Sequence, residues 1–143
     1  EFTRTILKDW IPVFEECGLD FNIDFPSSAC EIMIDENAYT RIINNLIQNV
    51  ISHSHASSIE IIMHKMERHI EISICDNGIG ISKEDLQHVF ERLYKCDKGR
   101  SGKGSGLGLS ITKQLVEKMG GAISVSSVPN KKTIFMIDFP LSA

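Results

Sequence analysis

Apolar residues recur at helical spacing over residues 3–17, where Ile6, Leu7, Trp10, Ile11 and Phe14 share one side of the helix and Gly18 is placed to stop it. Pro12 should kink this helix or limit its length. Leu19, Phe21, Ile23 and Phe25 then alternate with polar residues, the period of a half-buried strand, which Pro26 ends. After a short strand near 32–34, Asp35 can cap a helix whose stripe is Ile42, Ile43, Leu46, Ile47, Val50 and Ile51. Residues 59–64 and 69–75 flank Met66, Glu67 and Arg68 as a hairpin, and its second strand runs into Asp76-Asn77-Gly78-Ile79-Gly80. Ser82 and Asp85 resemble a capping box with Asp in place of Glu, opening a short helix to about Phe90. A polar, glycine-punctuated stretch covers 91–106. Helical spacing returns over 107–119, stopped by Gly120-Gly121, and 122–128 with 133–139 make a closing hairpin. This order of elements predicts an α/β chain folded as a two-layer sandwich, a sheet with helices on one face.

Length and charge narrow the function. A chain of 143 residues, 42% apolar, fits one domain with a sizeable core. The net charge of -4 argues against a nucleic-acid partner, whose phosphates would require a basic excess on one face. No run approaches the roughly 18 apolar residues that span a bilayer, so a soluble, cytoplasmic chain is expected. Cys17, Cys30, Cys75 and Cys96 are widely spaced without a CxxC pair, which suggests reduced thiols rather than zinc ligands or disulfides.

Three features carry candidate chemistry. Asn45 and Asn49 are four apart on an apolar helix and project to one side of it. An amide oxygen is a hard ligand that suits magnesium, which takes few protein ligands beside nucleotide phosphates; taken alone, the pair reads more readily as capping or surface asparagines. Asp76-x-Gly78-x-Gly80 sets a carboxylate at a strand end before a turn whose glycines admit a flat base, and the same residues fit an ordinary Asx turn. The run Gly102-Lys103-Gly104-Ser105-Gly106-Leu107-Gly108-Leu109 leads into a helix, a place suited to cradling phosphate, or simply a flexible loop. It is not a P-loop, because Gly104 follows Lys103, and it lacks the dinucleotide fingerprint, because Leu107 and Leu109 stand where glycine is needed.

Taken in order, residues 45–49, 76–80, 89–95 and 104–109 resemble the N box, first glycine box, F box and second glycine box of the histidine-kinase catalytic domain, of the GHKL superfamily. The resemblance implies the Bergerat fold: a mixed sheet with helices packed on one face and a mobile ATP lid. It implies ATP and Mg2+ as ligands, with Asn49 as the magnesium ligand and Asp76 as the reader of the adenine amine. Gly78, Gly80 and Ile81 would shape the base pocket, Phe90 would anchor the lid, and Tyr94 and Lys95 would belong to the lid, Lys95 where the family often contacts phosphate. Gly104, Ser105, Gly106, Leu107, Gly108 and Leu109 would fold over the phosphates, and His53 and Thr133 would border the nucleotide. Three positions depart from the family: Ser52 replaces a common lysine, His53 replaces a usual tyrosine, and Asn130-Lys131-Lys132-Thr133 keeps only Thr133 of the third glycine box.

Asn45 stands where ATP-hydrolysing relatives have a glutamate base, and an amide cannot serve as one. The implied reaction is therefore γ-phosphoryl transfer to a histidine, whose neutral imidazole needs positioning more than activation. None of His53, His55, His64, His69 and His88 has the context of a phosphoacceptor. The expected partners are thus ATP or ADP, a histidine-bearing dimerisation domain of the same parent protein and a downstream response regulator. The parent is expected at the bacterial cell membrane, and this chain is expected to be a monomer. The competing reading is a regulatory module that binds nucleotide and transfers nothing.

Overall fold

A computed structural model describes residues 2–25, 35–51, 56–91 and 108–141. The expected strand near 32–34 and the stretch 92–107 lie outside the described residues, as do Cys30 and Cys96. Among the described residues nine elements follow in the order α1 (Phe2–Glu16), β1 (Asp20–Asp24), α2 (Glu36–Asn49), β2 (Ser58–Lys65), β3 (His69–Asp76), α3 (Lys83–Leu86), α4 (Gly108–Lys118), β4 (Ala122–Val128) and β5 (Lys132–Pro140). The strands form one five-stranded sheet in the order β1-β2-β3-β5-β4. β1 runs parallel to β2 and every other pair is antiparallel, so the sheet is mixed.

Among the described residues helices cover one face of the sheet and leave the other open. On β3, Ile70, Ile72, Ile74 and Asp76 are buried in alternation with half-exposed neighbours, and on β5 Thr133, Phe135, Ile137 and Phe139 repeat the pattern. The apolar members of those two rows join Ile6, Leu7 and Phe14 of α1, Ile42, Ile43, Leu46 and Ile47 of α2, and Val116 of α4 in a continuous core. The helices thus supply the second layer of the expected sandwich.

Local chemistry sets the element ends. Asp35 caps α2 by accepting from the backbone N–H groups of Asn37 and Ala38, at 2.9 and 3.2 Å. Gly18 closes α1 at φ 68°, a left-handed turn that side chains resist. Pro12 does not end α1: the helix runs on to Glu16, because Phe14 packs fully buried beyond the proline. β1 is mostly exposed rather than half-buried, since it lies at the sheet edge with a single neighbouring strand. Two hydrogen bonds fasten α1 to α2: the Trp10 indole N–H donates to Asn44 Oδ1 at 2.7 Å, and Thr3 and Tyr39 share a buried hydroxyl pair at 2.6 Å. Burial pushes the Tyr39 phenol up to about 12, against the opposing pull of Thr3.

At the α4–β4 junction the backbone closely approaches β5. A Cβ added to Gly121 would stand 2.4 Å from the Asp138 carbonyl oxygen and 2.7 Å from the Phe139 ring. Gly121→Ala should therefore cost about 1–3 kcal/mol by forcing α4 away from β5, read as a lower urea midpoint at unchanged m-value. An unaltered midpoint would mean the approach is looser than described.

Candidate functional site

The inward row of the central strands is apolar until its last position. There Asp76 on β3 stands between Ile59 of β2 and Thr133 of β5, in direct register, with Ser127 of β4 next beyond Thr133. Asp76 is 3% exposed, and Thr133 is buried beside it. The parity that buries Ile70, Ile72 and Ile74 therefore buries a carboxylate at the mouth of the core. Burial pushes the Asp76 carboxyl above its ordinary value, while the hydrogen bond from the Gly78 N–H to Oδ1, at 2.9 Å, opposes that rise. The bond has the form of an Asx turn, but a carboxylate has two acceptor oxygens, so Oδ2 remains for a ligand. Burial also pushes the neighbouring Cys75 thiol up, with the Asp76 and Glu60 charges adding to the rise and Lys132 opposing it.

The loop after Asp76 is held from both sides. Asn77 Oδ1 accepts from the backbone N–H groups of Ser57 and Ser58, at 2.9 Å each, which ties the loop to the start of β2. On the other side the Asn130 N–H donates to the Ile79 carbonyl. The Ile81 N–H donates to Ser127 Oγ at 2.7 Å, and Ser127 in turn lies 2.9 Å from the Lys132 carbonyl and 2.9 Å from Thr133 Oγ1. Gly80 has φ 77°, and a Cβ there would meet the Val128 carbonyl at 2.7 Å and Pro129 at 2.8 Å. Glycine is required at this position by both conformation and space. Ile81 is half-buried against the core.

The helices supply the other wall. Asn45 Nδ2 donates to Thr112 Oγ1 at 3.2 Å, and Thr112 donates to the Gly108 carbonyl at 2.7 Å, so α2 is tied to the first turn of α4. Asn49, one turn beyond Asn45, is half-buried at the C-terminal end of α2. Phe90 packs edge-on to Phe135 at 6.4 Å, with the Lys113 ammonium 5.6 Å above its ring. Leu109 packs against the core from α4. Asp76, Gly78, Gly80, Ile81 and Thr133 thus lie together at one end of the sheet, Phe90 packs on Phe135 two residues from Thr133, Asn45 is joined to Gly108 through Thr112, and Asn49 and Leu109 lie on α2 and α4. His53, Tyr94, Lys95, Gly104, Ser105, Gly106 and Leu107 lie outside the described residues, as does Ser52.

Residues 34–143 match the family described as histidine kinase-, DNA gyrase B- and HSP90-like ATPase. The chain belongs to that family. Among curated relatives, sensor histidine kinase YcbM of Bacillus subtilis (strain 168) is 45% identical over 123 residues, covering 84% of this chain and 40% of the relative. Sensor histidine kinase WalK of the same organism is 32% identical over 141 residues, covering 95% of this chain and 23% of the relative. The solved mycobacterial sensor histidine kinase MprB superposes with a TM-score of 0.83 at 27% identity, covering 97% of this chain and 95% of that one. Family membership agrees with the Bergerat fold expected from the four boxes. This chain spans less than half the length of the two curated relatives, and no helix among the described residues is long and apolar enough to cross a membrane.

Sequence reasoning missed Ser127, Thr112 and Asn77. Ser127 shares the inward parity of Ile123 and Val125, and Thr112 falls in the apolar stripe with Leu109 and Val116, so a polar residue in phase with buried ones was the available signal. Ser127→Ala removes the partner of the Ile81 N–H and should cost about 1–3 kcal/mol of stability. Nucleotide affinity should fall with it, because Gly80 and Ile81 are then released from β4; calorimetry and denaturation on the same variant check both. Asp76→Asn keeps an acceptor for Gly78 without a charge. In the absence of ligand it should stabilise the fold near neutral pH. The folded carboxyl lies above its unfolded value, so its penalty is complete above the folded pKa and fades as pH falls toward 3.8. Thermal melts of both proteins across this range should therefore converge at the acid end; a constant difference would remove Asp76 as the source.

Proposed function

We propose that this chain binds Mg-ATP and transfers its γ-phosphoryl group to a histidine on the dimerisation domain of its parent sensor kinase, in a two-component system with a response regulator. The observation that carries the reading is the buried Asp76 carboxylate at the end of the apolar row, beside glycines that admit a flat ring. An exocyclic amine offers such a carboxylate two protons, whereas a ring carbonyl would set acceptor against acceptor. Adenine is therefore preferred over guanine. Thr133 adds a hydroxyl in the next strand position, and Ser127 fixes the direction in which that hydroxyl points.

The residues present fit a magnesium ion. Asn49 offers a neutral hard oxygen at the end of α2, one turn beyond the Asn45 contact with α4, and the ion takes its other ligands from phosphate and water. When bound, Mg2+ would supply charge neutralisation on the transferring group. The protein's own contribution is positioning: Asp76 holds the base, and the Asn45–Thr112–Gly108 chain fixes the first turn of α4, whose N–H groups face a phosphate favourably. Asn45 is an amide engaged with Thr112, so water is not activated at that position and the intact γ-phosphate awaits a stronger nucleophile. An imidazole with a free lone pair is one, and it needs no base to make it reactive. The relatives' names as sensor histidine kinases support this acceptor. A parent anchored in the bacterial cell membrane, with this domain on its cytoplasmic side, is part of the same proposal.

Incubated alone with labelled ATP, the chain should neither label itself nor hydrolyse appreciably. With the parent's separately expressed histidine-bearing domain, it should produce an acid-labile, alkali-stable phosphate on that domain. ATP binding without any transfer would favour a regulatory nucleotide-binding module, and rapid unaided hydrolysis would falsify the role given to Asn45. Asp76→Ala should weaken ATP by about 1.5–3 kcal/mol, the worth of a hydrogen bond to a charged group, and should narrow the preference over GTP. Asn49→Asp places a charge beside the phosphates, so transfer should fall more than folding stability does.

A further inference from the structure

A second polar cluster lies on the open face of the sheet, at the opposite end of β3 from Asp76. His69 and Glu71 are two residues apart on β3 and so share its outer face. Asp138 on β5 stands directly opposite Glu71 in register. One potential ligand atom from each of the three lies within 4.8 Å of the others. His69 Nε2 approaches Asp138 Oδ1 at 3.4 Å, yet that oxygen makes no hydrogen bond and is shielded from water. It is the one buried side-chain nitrogen or oxygen among the described residues without a hydrogen-bond partner. Buried carboxylate oxygens without a donor are rare and costly, and each needs an explanation.

We propose that His69, Glu71 and Asp138 bind a divalent transition-metal ion of the zinc type. An ion seated between the imidazole and the two carboxylates would give Asp138 Oδ1 a closer positive partner than the His69 ring at 3.4 Å. One imidazole nitrogen with two carboxylate oxygens is a borderline donor set, suited to Zn2+, Co2+ or Ni2+ and poorly suited to magnesium, which prefers oxygen throughout. The His69 and Asp138 side chains are 41% and 43% exposed, so water can complete the coordination shell. β3 and β5 are interior strands hydrogen-bonded on both sides, which fixes the backbone positions of all three ligands before any ion arrives. The exposed His64 of β2 stands opposite Glu71 on its other side and is a further imidazole within the same row. His69 and Asp76 bracket β3, which sets the metal cluster roughly 23 Å of extended strand from the nucleotide end, so the two sites can load independently.

The test is calorimetric titration of Zn2+ alone into the full chain stripped with chelator, in buffer containing millimolar Mg2+ and no nucleotide. Saturable binding of one ion is expected, with a rise in melting temperature. His69→Ala, Glu71→Gln and Asp138→Asn should each weaken binding by about tenfold or more and abolish the rise, while Cys17→Ser and Cys75→Ser should change neither. Metal-free melts establish that each variant is folded. Co2+ added to the wild-type chain supplies a reading free of any substitution: the His69 ring protons should show paramagnetic shifts. Wild-type protein that binds no Zn2+ at millimolar concentration, binding that survives all three substitutions, or unshifted His69 protons would each overturn the proposal.

Discussion

A single charged group at the mouth of an apolar core organises this end of the molecule. Asp76 continues the inward parity of Ile70, Ile72 and Ile74, so the same alternation that builds the core delivers a carboxylate to a place where ionisation is costly. The fold tolerates it because the Gly78 N–H supplies one hydrogen bond and the loop that follows is pinned on either side, through Asn77 and Ile79. A group whose charge is under-compensated in the empty protein is well prepared to gain from a ligand that donates to it. Stability is thus given up at the position where base recognition is proposed.

The closing hairpin does more than complete the sheet. Ser127 and the carbonyls of Val128 and Lys132 form a rail against which Gly80 and Ile81 are set, so the loop after Asp76 takes its shape from β4 and β5 as well as from its own glycines. On the helical side, Asn45, Thr112 and Gly108 perform a similar service, joining α2 to the turn where α4 begins. Phe90 closes the arrangement by packing on Phe135, the residue two positions beyond Thr133 on the same face of β5. The loop after Asp76 and the first turn of α4 therefore rest on one core, and a disturbance in β5 should be felt at both.

Most of this is legible in the order of residues because the signals are periodic. Asp35 as a cap, Gly18 as a stop and the two hairpins depend on local chemistry, and each stands where expected. Asp76 is legible because it is a carboxylate at a strand end followed by glycines at 78 and 80. Ser127 is not, since Ser124, Ser126 and Ser127 look alike until strand register brings one of them beside Thr133. The exposure of β1 escapes the sequence for a related reason: alternation marks a strand but does not say how many neighbours it has. Pro12 does not end the helix, because its local backbone cost is set against the buried contact made by Phe14, which the rest of the fold supplies.

The central claim is that the ionised Asp76 carboxylate reads the adenine amine, and the most direct measurement is the titration of its side-chain carbon by NMR, with and without ADP. Empty protein should show a midpoint above the ordinary carboxylate value, as burial requires. ADP binds through the charged form, so by linkage it should move that midpoint downward, while GDP and inorganic diphosphate should leave it in place. An Asp76 midpoint indifferent to ADP, or moved equally by all three, would contradict the account.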